Sequence, residues 1–230
     1  MKSIHCNGVE VEVIRSKRRK TLSLGIRNGE VKLRIPARLP LHQAERFVHE
    51  KSHWIQQKLL AHPPVKAKQF ETGESLLYLG KTYSLVVEPA QARREIQLTD
   101  DAFIVMHRDP QPSQAAIKRQ VEGWYKHQAK QLMTARCEKL AAQTGLVPAS
   151  IEVKTYRARW GSCTASGKVQ LNWKLIMAAP DIIDYVIIHE LCHLRQHNHS
   201  PAFWQLVKQF DPAFTQHRAW LKSNGQKLQL

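Results

Sequence analysis

His189, Glu190 and His193 stand in the order H-E-x-x-H within the run I-I-H-E-L-C-H-L-R-Q-H-N-H-S-P-A-F-W from Ile187 to Trp204. On a helix, residues four apart share nearly one face, so the two imidazoles can converge on one point from a rigid support. Imidazole nitrogens at about 2.0–2.1 Å are how a Zn²⁺ site begins. Glu190, beside the first histidine, is placed to reach a water on such an ion and take its proton. Tyr185, Val186, Ile187, Ile188, Leu191 and Leu194 make the surrounding helix largely apolar. Polar groups partly buried there are costly unless paired or metal-bound. The competing reading is a helix whose Glu–His pair is satisfied by its neighbours.

A catalytic zinc keeps three protein ligands and an open position. His197 and His199 are the candidates for the third. His197 continues the four-residue spacing, but each such step overshoots a full turn by about 40° and moves the side chain about 6 Å along the axis. Three histidines in that row therefore diverge from one ion. A chain that turns after His197 can bring His199 back, since Asn198 tolerates a left-handed helix end and Ser200-Pro201 suits the start of a new helix. The expected metal set is His189, His193 and His199, with Glu190 as the catalytic residue. His197 is expected to be exposed or to support a ligand from outside.

The elements that must carry these residues are legible in the hydrophobic pattern. Val9, Val11 and Val13, then Leu22, Leu24 and Ile26, then Val31, Leu33 and Ile35 alternate with other residues, as half-buried strands do. Asn28-Gly29 between the last two runs is a hairpin signal. Leu41–Leu60 changes to helical spacing and ends at His62-Pro63-Pro64. Strand-like runs resume at Leu76–Leu79, Tyr83–Val87, Ile96–Leu98 and Phe103–Met106, and a long helix is predicted from Ser113 to Thr144. Ile151–Thr155 and Val169–Trp173 read as strands, followed by the metal helix from Pro180, a helix from Ser200-Pro201 to about Phe210 and a short one over Pro212–Ser223. Strand, strand, metal helix is an order that can set a sheet edge beside the metal, where an extended peptide pairs through its backbone. Asp109-Pro110-Gln111-Pro112-Ser113 is the expected boundary, giving a β-rich part with a helix over 1–112 and a catalytic part over 113–230. No internal repeat or low-complexity tract is visible.

Length and composition allow a soluble α+β protein of one or two domains with an ample core: 230 residues, 43% hydrophobic and 23% charged. No apolar run approaches the roughly 18–20 residues needed to span a bilayer, and the first residues lack the apolar stretch of a secretory signal. Cys6, Cys137, Cys163 and Cys192 are dispersed without a C-x-x-C pair, as expected of free thiols in a cytoplasmic protein. The net charge of +16 suits an anionic substrate or nucleic acid. Its dense block is Arg15–Lys20, and no base-reading motif accompanies it. No membrane association is expected.

Arg159-Trp160-Gly161-Ser162-Cys163, Leu171-Asn172-Trp173, the run from Tyr185 to His193 and the run from Asn198 to Trp204 together resemble the YgjP-like metal-dependent hydrolases. That family is similar to the SprT-like zinc metallopeptidases within the broader zincin group. Arg18-Arg19-Lys20-Thr21-Leu22, Leu33-Arg34-Ile35-Pro36 and Trp54-Ile55 also fit, so the likeness runs from about Arg15 to Leu221. The resemblance implies a zincin-like catalytic part beside a small sheet. It also implies zinc held by His189, His193 and His199, with Glu190 as general base.

The loop around Arg159–Cys163 admits several roles. Trp160 can wall a pocket, Gly161 permits a tight turn, and Arg157 or Arg159 can hold an anionic group, or the arginines can simply pair with acids elsewhere. Cys163 is disfavoured as a fourth ligand because that would close the site. Cys192 reads as a small core residue. The expected function is a zinc-dependent hydrolase, best a metallopeptidase acting on a peptide or protein. The alternatives are a metal-dependent hydrolase of nucleotides or other phosphoanhydrides, and a basic nucleic-acid-associated protein with structural zinc.

Overall fold

In the computed structural model of the chain, residues 2–61, 63–64, 66–90 and 95–230 are described. His62, part of the expected helix stop, lies outside them. The chain divides into two compact units after Lys66.

The first unit contains β1 (Lys2–Cys6), β2 (Val9–Ser16), β3 (Ser23–Arg27) and β4 (Glu30–Pro36) in the sheet order β1-β2-β4-β3. Two antiparallel hairpins lie side by side, joined by a parallel β2–β4 pair. Their turns are Asn7-Gly8 and Asn28-Gly29, with both residues of each at positive φ. A two-residue turn of this kind follows the twist of its strands, and Asn and Gly tolerate the left-handed backbone it needs. The alternation works as expected: Val11, Val13, Val31, Leu33 and Ile35 are buried with Ala44, Val48 and Ile55 from the helices. The single helix expected over 41–60 is two helices, α1 (Leu41–Glu50) and α2 (Ser52–Ala61), because the chain leaves helical geometry at Lys51 (φ −97°, ψ 4°). Strand β1 was not anticipated.

The second unit opens with β5 (Ser75–Tyr78), β6 (Lys81–Pro89), β7 (Glu95–Leu98) and β8 (Ala102–His107), in the order β5-β6-β8-β7. The pairing senses match those of the first sheet: antiparallel, parallel, antiparallel. The long helix α3 (Gln114–Thr144) starts where Ser113 Oγ accepts from Ala116 N at 3.3 Å and ends at Gly145 (φ 69°). Its buried residues are Ile117, Val121, Tyr125, Ala129, Met133, Cys137 and Ala141, each four after the last. A strict four-residue stripe turns about 40° per step, so it wraps round the helix and meets different partners along its length. Near its start Tyr125 stacks on Phe103 of β8 (5.5 Å, 13°) and donates its hydroxyl to Leu77 O at 2.6 Å. Further along, Arg136 grips Asp184 with two 2.7 Å bonds.

This shared core places strands β5–β8 with the half that carries the three histidines. The structure therefore divides after Lys66, where the proline-rich stretch at 109–113 had suggested a boundary after 112. The rest of the unit is a third sheet, β9 (Ser150–Lys154), β10 (Gly161–Cys163) and β11 (Lys168–Asn172), ordered β10-β11-β9, followed by helices α4 (Pro180–Cys192), α5 (Pro201–Phe210) and α6 (Phe214–Asn224). A 3-10 turn at Trp173–Met177 precedes α4. It is pinned by the β5–β6 turn, whose Leu79 N donates to Ile176 O (2.8 Å) and Gly80 N to Met177 O (3.2 Å). The fold is thus mixed α+β, with three sheets and six α-helices among the described residues. Among the described residues, no helix is long and apolar enough to cross a membrane.

Candidate metal centre and active site

Helix α4 is apolar nearly all round, with Ile182, Ile183, Tyr185, Val186, Ile187, Ile188, Leu191 and Cys192 buried. It starts with Pro180 in its first turn and stops at His193, which caps its C-terminus. His189 and His193 therefore occupy the last turn. The helix does not continue to His197, so the turn expected after that residue comes four residues earlier. Arg195 N and Gln196 N close it on Cys192 O at 3.1 and 3.0 Å. Asn198 has no positive φ; its Oδ1 instead accepts from Ser200 N at 3.3 Å. Ser200 then caps α5 by accepting from Phe203 N, and Pro201 stands in the first turn. His197 is exposed.

This reversal brings His189, His193 and His199 together, with one ligand atom from each lying within 4.8 Å of the others. His189 Nε2 and His199 Nε2 are 3.1 Å apart. Two nitrogens bound at about 2.0–2.1 Å to one tetrahedral ion would be separated by roughly 3.3 Å, so the observed spacing fits a shared zinc. His193 Nδ1 donates to Gln196 O at 2.9 Å in the tautomer that leaves Nε2 bare as a ligand. His189 Nδ1 is buried without a hydrogen-bond partner among the described residues. Burial, and then the nearby His193, His199 and Arg218, push His189 down to about 3, so its ring is neutral and its lone pair is available at neutral pH. Burial also lowers His193. Helix α5 supplies an aromatic floor: His193 stacks on Phe203 (4.5 Å, 23°) and His199 on Trp204 (5.6 Å, 29°).

Glu190 points from the same helix to the other side, towards β10, the edge strand of the third sheet. Gly161 begins that strand, and a Cβ there would lie 2.6 Å from Glu190 Oε1. Only glycine lets the edge come this close. The carboxyl is 6% exposed, and burial pushes it up to about 8 despite the pull of Arg159. Buried Asn172 holds the approach to the edge strand, donating to Tyr156 O (3.2 Å) and Arg159 O (3.0 Å). The expected loop at 157–163 is therefore a loop only as far as Trp160. Cys163 lies outside the histidine group; its Sγ donates to Thr164 O, and burial followed by Glu190 raises its thiol. Cys192 is buried with its thiol pushed up to about 12, as a core residue.

A cavity of about 310 Å³ opens between α4, β10 and α6, with Trp160, Glu190, Arg218 and Lys222 among its walls. Trp160, for which a pocket wall was one of the roles left open, lines this cavity, and Arg218 and Lys222 were not anticipated. Their four-residue spacing on a helix was readable, yet it looks the same as any solvated basic face. A larger hollow of about 600 Å³ in the first unit, lined by residues such as Lys2, Glu10, Glu12 and Glu30, holds no histidine or cysteine.

The YgjP-like family model, described as a metallopeptidase domain, matches residues 20–224. The chain belongs to the YgjP-like family. Membership of this metallopeptidase family implies a metal, and the three histidines are the group of His, Cys, Asp and Glu residues able to hold one among the described residues. The crystal structure of the metallopeptidase zymogen abylysin of Pyrococcus abyssi aligns with 39% of this YgjP-like chain and 93% of its own, at 19% identity and a TM-score of 0.36. No curated protein matches.

Proposed function

We propose that the chain is a zinc metallopeptidase in which His189, His193 and His199 hold the ion and Glu190 is the general base. The observation that carries this reading is the three-imidazole cluster with its ligand-like 3.1 Å spacing, on the same helix turn as a carboxyl buried against a sheet edge. A zinc ion held there would act as a Lewis acid on the scissile carbonyl and acidify a water. The protein's own groups do the rest. Burial favours protonated Glu190, and the charge of a bound metal ion would favour its carboxylate, the form that takes the proton from the attacking water and returns it to the leaving amine. The neutral rings of His189 and His193 offer lone pairs without first losing a proton. Strand β10 offers one backbone edge to an extended peptide, which would lay its scissile bond beside Glu190.

Glu190→Gln tests the reading. The variant should keep one zinc per chain by elemental analysis and lose at least about 100-fold in hydrolysis of a peptide pool read by mass spectrometry. Hydrolysis at the parent rate sinks the general-base role, and loss of zinc sinks its separation from the ligand set.

A further inference from the structure

Two cations on α6 face the cavity beside Glu190. Arg218 and Lys222 are four residues apart, so they share one face of the helix, and both line the cavity that contains Glu190. Neither has an ion-pair partner among the described residues. The aspartates that contact α6 do so through His217, which lies 2.8 Å from Asp211 and 3.6 Å from Asp181. Arg218 is held in place from below, its guanidinium 4.6 Å over the Trp204 ring, which itself stacks on Phe214.

Trp160, Tyr185, Val186 and Leu221 give the cavity its apolar walls, and His189 of the histidine group lines it beside Glu190. Trp160 is wedged against the turn after α6, where a Cβ on Gly225 would lie 2.9 Å from the indole. A positively charged, partly apolar hollow beside the proposed base suits one negative group on a short apolar stem.

We propose that Arg218 and Lys222 bind a carboxylate of the substrate, either its C-terminus or an acidic side chain next to the scissile bond. The inference rests on the metallopeptidase reading and specifies its substrate class. A planar guanidinium fork matches a carboxylate with two parallel hydrogen bonds, and the neighbouring ammonium adds a point charge. A phosphate would suit the pocket less well. Its charge of nearly two is repelled by Glu190 more strongly than the single charge of a carboxylate.

Binding is read by NMR on the full chain, with and without zinc, from the Trp160 indole N–H signal assigned through Trp160→Phe. The probes are N-acetylphenylalanine, its primary amide and inorganic pyrophosphate. The acid should shift the Trp160 signal saturably, with affinity about 10- to 100-fold weaker in Arg218→Gln, and the amide should not. Because Arg218 also covers Trp204, Lys222→Gln is the second variant; it should weaken the acid without changing zinc content. Equal titration by acid and amide, an unchanged affinity in both variants, or pyrophosphate binding without acid binding overturns the proposal. These readouts need no turnover, so a protein that binds the acid but cleaves no peptide refutes the peptidase reading alone. Cleavage of peptides ending in acid, in amide, and in amide with an internal Glu separates the two sources. Preference for the first assigns the C-terminus and preference for the third assigns the side chain. Equal rates for all three overturn the carboxylate site.

Discussion

Gly161 and Glu190 meet without room for a single extra carbon: a Cβ at position 161 would fall 2.6 Å from Oε1 and 2.7 Å from Cγ of the glutamate. The contact links the edge of the third sheet to the last turn of α4, so the position of the proposed base depends on the absence of a side chain one strand away.

Gly161→Ala should therefore displace Glu190 while leaving the histidines where they are. We expect an unchanged zinc stoichiometry and a drop in turnover on the order of 100-fold, the usual effect of a misplacement near 1 Å. Zinc analysis beside kcat on any cleaved peptide checks this. Parent-level turnover would show that the carboxyl can adjust freely.

The metal-free protein should carry a pH signature of the buried carboxyl. The folded-state value of Glu190, about 8, lies above the ordinary 4.5. Folding therefore favours the protonated form, and stability falls as pH rises from about 4.5 to about 8. Glu190→Gln has no such slope. Its melting temperature should match the parent's near pH 4.5 and exceed it increasingly up to pH 8, the gap widening by about 1.4 kcal/mol per pH unit at most. Melting curves of both chelator-treated proteins across that range give the comparison. Parallel curves would place the carboxyl in contact with water.

His199→Ala should release zinc to a competing chelator at least about 10-fold more readily than the parent, whereas His197→Ala should not. The reason is local geometry: α4 stops at His193, the chain folds back, and the Ser200 cap delivers His199 to within 3.1 Å of His189 while His197 faces solvent. Metal release by His197→Ala in place of His199→Ala would reverse the assignment.

Arg136→Ala should cost roughly 1–3 kcal/mol, the range for hydrogen bonds to charged groups. The pair with Asp184 is bidentate at 2.7 Å and about one-third exposed on each side. It ties α3 to the helix that bears the histidines. A change in the denaturation midpoint below about 0.3 kcal/mol would rank it with ordinary surface pairs.

The chemistry was more legible than its surroundings. H-E-x-x-H and the Ser200-Pro201 start are local signals, so the three histidines could be grouped before any fold was known. Alternation gave most strands for the same reason. The early end of α4 was hidden because Leu194 continues its apolar pattern, and what stops the helix is a tertiary turn closed on Cys192 O. The division after Lys66 was hidden because the Asp109–Ser113 stretch has the composition of a linker. The stack of Phe103 on Tyr125, which joins the segments on either side of it, is a contact between distant residues. Arg218 and Lys222 were missed for the same reason: nothing within α6 reveals that its basic face closes a cavity against α4. Gly161 was read as a turn residue, since its need for space arises from a helix 29 residues later.

The two four-stranded sheets, one on each side of Lys66, share strand order and pairing sense although their sequences show no repeat. Their first hairpin turns share even the backbone signature, Asn7-Gly8 in one and Leu79-Gly80 in the other, all at positive φ. One strand pattern is thus reached by two unrelated sequences. In the second unit it serves as a brace: its turn grips the segment leading into α4 at Ile176 and Met177, and its face shares a core with α3. In the first unit the same pattern closes its own interior with Val48 and Ile55, and the chain there carries the Arg15–Lys20 block.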